Sequence, residues 1–293
     1  MKKYLFVLSL LVTFIMPWAK GIALSNFNDN LDIKSFAKEL NISPTIVGED
    51  DRKEITSENA ENLEKAVVLI VTPITDETFG FCTGAMISHN MVLTAAHCIL
   101  DDNGEYRIGS DVIAVTAQNP PNSGDSKSPV IASSVKYHVS DTYIEYIKEN
   151  KSPRASAEYD YGIIILDDSI GFTTGWFNLN IVPMEQLKYS SITLVGRSDD
   201  KEYDTLWKSE GTVNSQRVSY DNTFTYNADM FHGSSGCPIL LKDKPNEIIG
   251  INIAQLGDDY ASDGYPNMGV RINQDIINFI QSKMDLSEKT PKI

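Results

Sequence analysis

Twelve short apolar runs, six before residue 170 and six after it, constrain this chain more than any other feature of its sequence. The first six are Val67 to Val71, Gly84 to Ile87, Met91 to Ala95, Asp111 to Thr116, Val130 to Val135 and Gly162 to Leu166. The second six are Ser191 to Val195, Leu206 to Val213, Thr223 to Tyr226, Pro238 to Leu241, Ile248 to Ile253 and Met268 to Ile272. Each is of strand length, and turns rich in Gly, Asn, Asp and Pro separate them. Six and six suits an all-β protein of two six-stranded antiparallel barrels with a cleft between them. After the last run, Asn273 is placed to cap a C-terminal helix whose Ile276, Ile277, Ile280 and Met284 share one face.

Residues that carry chemistry sit at the mouths of three runs. Gly233-Ser234-Ser235-Gly236-Cys237-Pro238 has the form Gly-x-Ser-Gly-x-Pro and leads into an apolar strand. A serine on such a glycine-flanked turn can offer its hydroxyl as nucleophile, with the amides of Gly233 and Ser235 aimed at one developing oxyanion. Ser234 is the rival hydroxyl, but only Ser235 is followed directly by Gly236. Leu93-Thr94-Ala95-Ala96-His97-Cys98 ends an apolar strand on an imidazole that can carry the proton. A buried carboxylate must orient that imidazole. Asp160, just before Gly162 to Leu166, fills the part; Asp167 and Asp168 lie beyond the strand.

Together these segments resemble the secreted trypsin-like serine proteases, and within them the glutamyl endopeptidases of Gram-positive bacteria. Asp51-Arg52-Lys53-Glu54-Ile55-Thr56 is similar to that group's segment after the mature N-terminus, and Leu206-Trp207-Lys208-Ser209-Glu210-Gly211 to its Met-Trp-x-Ser-x-Gly strand. Gly196-Arg197-Ser198-Asp199-Asp200-Lys201 is a degraded form of its Gly-Tyr-Pro-Gly-Asp-Lys turn. The resemblance covers about residues 45 to 280 and implies a chymotrypsin-like double barrel. It implies a serine endopeptidase acting through an acyl-enzyme, with His97, Asp160 and Ser235 as triad, no cofactor and no metal. A catalytically inactive barrel serving as a binding protein is the alternative, since this fold hosts both.

The resemblance also implies a substrate pocket, and here the chain departs from the group. A threonine five residues before the nucleophile becomes Met230, and the pocket histidine of a later strand becomes Asn252, beside Ile253. The mature N-terminal amine, at Thr45 or Ile46, is the third element. A thioether donates nothing and a carboxamide carries no charge, so strict preference for glutamate is expected to weaken.

Three cysteines in an exported chain suggest one bridge and one leftover. The resemblance pairs Cys82 with Cys98 and leaves Cys237 as a small core residue rather than a thiol nucleophile. Of the other histidines, His232 lies three residues before Ser235 and either approaches the cleft or belongs to a surface loop; His138 reads as structural.

Lys2 and Lys3 precede an apolar run from Tyr4 to Met16, too short to span a bilayer. This reads as a signal peptide over residues 1–23, cleaved after Ala23 or, alternatively, Ala19. In residues 24–44 the spacing of Ile33, Phe36, Ala37 and Leu40 predicts an amphipathic helix ending before Pro44. It is either a propeptide removed by an activating protease or a helix packed on the mature enzyme. The first barrel is assigned to 45–172 and the second to 173–293. A formal charge of −15 repels nucleic acid and anionic membranes. The expected partners are protein or peptide substrates, met outside the cell by a monomer. The polar stretches 119–129 and 141–157 read as surface insertions, the second holding a short helix around Tyr143 to Ile147.

Overall fold

A two-residue strand, β1 (Lys53–Glu54), opens the described part of the computed structural model, and six strands that close on themselves follow it. They are β2 (Val67–Pro73), β3 (Phe79–Met86), β4 (Met91–Thr94), β5 (Asp111–Ala114), β6 (Val130–Val139) and β7 (Gly162–Leu166). All pair antiparallel in the order β2-β3-β4-β7-β6-β5, and β5 returns to β2, so no edge is left to template aggregation. Val67 through Val71 are all buried, at most 4% exposed. A strand apolar without alternation is covered on both faces. Leu93, Ile163 and Ile164 complete this core, and each side chain removed from water contributes about 1.5–3 kcal/mol.

The described residues are 46–56, 59–60, 63–73, 79–101, 103–107, 111–114, 130–149, 156–202, 205–214, 222–255 and 264–284. All lie in one compact unit running from Ser43 to Ile293. The expected signal peptide and propeptide, Thr45 and the stretch 119–129 fall outside them. No helix among the described residues is long and apolar enough to cross a membrane.

The second half builds β8 (Asn178–Leu179), β9 (Ser191–Gly196), β10 (Trp207–Asn214), β11 (Thr223–Tyr226), β12 (Pro238–Leu241), β13 (Lys244–Gln255) and β14 (Asn267–Arg271). Its pairings run β10-β11-β14-β13-β12-β9, and β9 pairs back to β10. β1 adds to the outer side of β10, and β8 lies parallel to β13. Phe224, Tyr226, Ile239 and Ile249 fill this half's core at 1% exposure or less. The chymotrypsin-like double barrel expected from the sequence is the observed fold.

The differences are of extent. β3 starts at Phe79 instead of Gly84 because β2 continues to Pro73 and carries its partner with it, Pro73 facing Phe79. β13 runs from Lys244 to Gln255, longer than its apolar stretch, because β12, β14 and β8 all pair with it. β1 and β8 are two residues each and carry no periodicity that a reader of sequence could find.

Helix α1 (Asp141–Lys148) occupies the polar stretch before Asp160, with Tyr143 buried and Tyr146 edge-on to Tyr159. Helix α2 (Gln274–Lys283) starts where Asn273 Oδ1 accepts the Ile276 N–H at 2.9 Å, the cap its sequence called for. It buries Ile276 and Ile280 and sets Phe279 edge-on to Tyr161, beside Asp160.

Candidate active site

His97 leaves β4 through Ala95, in extended conformation, and sits in a short 3-10 turn, Ala96–Cys98. Asp160 closes a similar turn, Ala157–Tyr159, just ahead of β7, which pairs with β4. That pairing brings the two side chains together. Asp160 Oδ2 lies 2.7 Å from His97 Nδ1, and Asp160 Oδ1 accepts the His97 backbone N–H at 3.0 Å. The carboxylate thus fixes both the ring and the backbone beneath it. With Nδ1 donating to Asp160, Nε2 is the free acceptor. Burial opposes charge on the ring, but the negative charge of Asp160 and its hydrogen bond outweigh it. The net shift is upward from the ordinary histidine value of 6.5, with Arg107 pulling the other way.

The disulfide forms between Cys82 of β3 and Cys98, with Cα atoms 6.0 Å apart. It bolts the His97 turn to the neighbouring strand. Cys237 is a free, buried thiol whose pKa is pushed far up by burial, which suits the core role and not that of a nucleophile.

Ser235 lies on a turn with positive φ at Gly233 (88°) and Gly236 (80°). At Gly236 a β-carbon would also run into Thr94 Oγ1 and the Thr83 carbonyl. Only glycine fits there. The Ser234 hydroxyl points inward, donating to the Arg197 carbonyl at 2.8 Å and lying 3.2 Å from Ser198 Oγ. Ser235 is partly exposed whereas Ser234 is buried, so of the two adjacent serines it is the one open to solvent.

A residue of the first barrel holds this turn. The Thr83 N–H donates to the Ser235 carbonyl at 2.8 Å, and Thr83 Oγ1 donates to the Gly233 carbonyl at 2.8 Å. The same hydroxyl accepts the Arg197 N–H at 2.9 Å. The Ser235 carbonyl also lies 3.7 Å from Cys98 Sγ, against the His97 turn. Thr83 carries no signal in the sequence, because threonine is ordinary in a strand.

The chain just after Thr45 is fastened to the same region. Asp229 is buried, and its Oδ1 accepts the Val47 N–H at 2.7 Å while Oδ2 accepts the Asp51 N–H at 3.1 Å. Arg52 forks onto Asp50 and Asp200, with Nη2 2.5 Å from Asp200 Oδ2 and Nη1 3.1 Å from Ser198 Oγ. Lys201 adds an ion pair to Asp50 at 3.0 Å and stands over the Trp207 ring. Met230 faces a small cavity of about 10 Å³, room for one water, shared with Arg52, Ser198, Ser209, Asp229 and Ser234.

Asn252 and Ile253 are buried on β13. Asn252 spends its side chain inward: Nδ2 donates to the Ser234 carbonyl at 2.9 Å, and Oδ1 accepts the Tyr226 hydroxyl at 2.5 Å. His232 gives its carbonyl to the Asp199 N–H at 2.9 Å. His138 lies on β6, where burial, then Lys283 and Lys136, lower its pKa.

Among the described residues, Cys82, His97 and Cys98 bring potential ligand atoms within 4.8 Å of one another. The two sulfurs are bonded to each other and His97 Nδ1 faces Asp160, so this set does not fit a metal ion.

The family model described as Trypsin matches residues 66–280. A curated protein of Bacillus subtilis named "Extracellular metalloprotease" is 27% identical over 240 residues, covering 81% of this chain and 69% of its own length. "Glutamyl endopeptidase" of Bacillus licheniformis is 29% identical over 206 residues, covering 70% of this chain and 58% of its own. The chain therefore spans about two thirds or less of these relatives. Among solved structures, a Glu endopeptidase in complex with MPD superposes with a TM-score of 0.63 at 22% identity, over 81% of this chain and 98% of that one. The protease Anisep from Arthrobacter nicotinovorans does so at 0.56 and 14% identity, over 76% and 97%.

Proposed function

Because the chain belongs to the trypsin family, a family of serine proteases, we propose that it is a secreted endopeptidase that cleaves through an acyl-enzyme on Ser235. The observation that carries this reading is the double hold of Asp160 on His97, at 2.7 and 3.0 Å, beside a glycine-flanked serine turn. His97 Nε2 takes the Ser235 proton as Oγ bonds to the scissile carbonyl carbon. The Gly233 and Ser235 amides receive the oxyanion, and His97 returns the proton to the leaving amine. Water then repeats the sequence on the acyl-enzyme and frees Ser235. Asp160 keeps the tautomer throughout. No step needs a metal, and the name of the Bacillus subtilis relative adds none here.

Specificity in this reading departs from glutamate. A substrate carboxylate entering a partly dry pocket needs donors. Met230 offers none, and Asn252 has committed both ends of its carboxamide elsewhere. Each missing partner costs about 1–3 kcal/mol, tenfold or more in discrimination. Uncharged side chains are therefore accepted at the cleaved position. The signal peptide and an activation cleavage before Thr45 or Ile46 complete the proposal, and the B. subtilis relative, named as extracellular, is consistent with export.

A fluorophosphonate decides the reading. It should label the mature protein one to one at Ser235, and Ser235→Ala should lose both labelling and about 10⁴-fold or more in turnover. An unlabelled, correctly folded protein would point instead to an inactive barrel used for binding.

A further inference from the structure

We propose that Asn252, held by the Tyr226 hydroxyl, is a positioning residue that aims the Ser235 amide at the oxyanion. The inference rests on the reading of Ser235 as nucleophile. A trans peptide unit points its N–H and its C=O in opposite directions, and no cis peptide occurs among the described residues. An amide is therefore aimed by whatever holds the carbonyl of the residue before it.

For the Gly233 amide that carbonyl belongs to His232, and the Asp199 N–H holds it at 2.9 Å. For the Ser235 amide it belongs to Ser234, which accepts two donors: the Cys237 N–H at 3.0 Å and Asn252 Nδ2 at 2.9 Å. Of these three donors only Asn252 Nδ2 belongs to a side chain. Its orientation has a single sense. Flipping the carboxamide would set its oxygen against the Ser234 carbonyl, two acceptors in a site from which water is excluded. The Tyr226 hydroxyl, donating to Oδ1 at 2.5 Å, favours the same sense. Both residues are fully buried, and burial raises the Tyr226 phenol well above its ordinary value, so it remains a donor across the working range. The backbone of Asn252 adds two more ties, its N–H to the Cys237 carbonyl at 3.0 Å and its carbonyl from the Gly236 N–H at 2.8 Å. Asn252 thus grips the nucleophile turn from behind.

Position 252, where the resemblance anticipates a pocket histidine, here serves the transition state for every substrate alike. The role is separable from specificity. Asn252→Leu should lower kcat and the rate of fluorophosphonate labelling by about tenfold or more. KM, the preference at the cleaved position and the acid limb of the pH profile should stay put. Tyr226→Phe, which leaves Asn252 Oδ1 without its donor but keeps the Nδ2 bond to Ser234, should give a smaller loss of the same kind. Combining both substitutions removes the two polar partners together and keeps a folded protein for the measurement. A changed residue preference with kcat retained would return Asn252 to the substrate pocket and overturn the inference. So would a lower melting temperature with undiminished kcat per titrated site. An unsubstituted protein that is not labelled would overturn the protease reading itself, whereas a labelled parent with equally fast variants overturns this inference alone.

Discussion

The amide of Val47 reaches across 182 residues to donate to Asp229 Oδ1 at 2.7 Å, six positions ahead of Ser235. The same carboxylate holds the Asp51 N–H, so the segment from Val47 to Asp51 and the wall leading to Ser235 share one anchor. Whatever happens to the backbone near Thr45 is felt at that wall. N-terminal sequencing of active secreted enzyme should therefore find Thr45 or Ile46 first. Full activity with Leu24 still at the N-terminus would overturn the zymogen reading.

Activity should fall with acidity as His97 takes up a proton. Because its pKa is raised, the acid limb should lie above the ordinary histidine value of 6.5. In Asp160→Asn the causes of the rise are gone while burial remains, so the limb should move to lower pH and kcat drop by about 10⁴-fold. The linked stability has a definite sign. A raised folded pKa contributes stability that is full below the unfolded value and is lost as pH rises through the folded one. The wild type should thus lose more stability than Asp160→Asn in calorimetry as pH rises above the ordinary histidine value of 6.5.

Arg52 is buried between Asp50 and Asp200, and removing it leaves those two carboxylates with Lys201 alone and breaks a hydrogen bond to Ser198. Arg52→Ala should cost ~2–3 kcal/mol and lower the melting temperature by several degrees. The Arg52 guanidinium holds the Asp50 carboxyl well below the usual carboxylate range. That contribution is present above the unfolded Asp value and lost as pH falls through the folded one. Asp50→Asn should therefore flatten stability against pH in the acid range. A variant that follows the wild-type curve would remove this assignment.

Reduction of Cys82–Cys98, or Cys82→Ser with Cys98→Ser, should destabilise by ~3 kcal/mol in the chain-entropy account of a loop this long. Because the bridge ends on the His97 turn, the double variant should also lose turnover at temperatures where circular dichroism still reports a native sheet. An unchanged melting temperature would show that the bridge adds no stability.

Profiling on a peptide library tests the pocket. Cleavage should follow several uncharged residues, with glutamate no longer dominant. Near-exclusive cleavage after Glu would show that the positions of Met230 and Asn252 were wrongly carried over.

Strands, turns and the three residues of the proposed triad were legible because local chemistry marks them. β-Branched runs between turn residues announce strands, and a serine between glycines announces a turn. Asn273 announced its helix for the same reason. Thr83 was not legible: its two roles arise only when β3 of one barrel meets the serine turn of the other, and nothing in its neighbourhood in sequence predicts that meeting. Asn252 was read from its position as part of the pocket. In the structure its carboxamide turns inward, onto the Tyr226 hydroxyl of β11, a pairing between residues 26 apart that periodicity does not encode.

Thr83 makes the serine turn contingent on the first barrel. With only that barrel folded, the chain would carry His97 and Asp160 without Ser235 beside them. With only the second folded, the carbonyls of Gly233 and Ser235 would lack their ties to Thr83. Neither half-folded chain would hold the whole proposed triad in place. In the proposed protease, the capacity to cut would therefore arrive last, when the two halves have met.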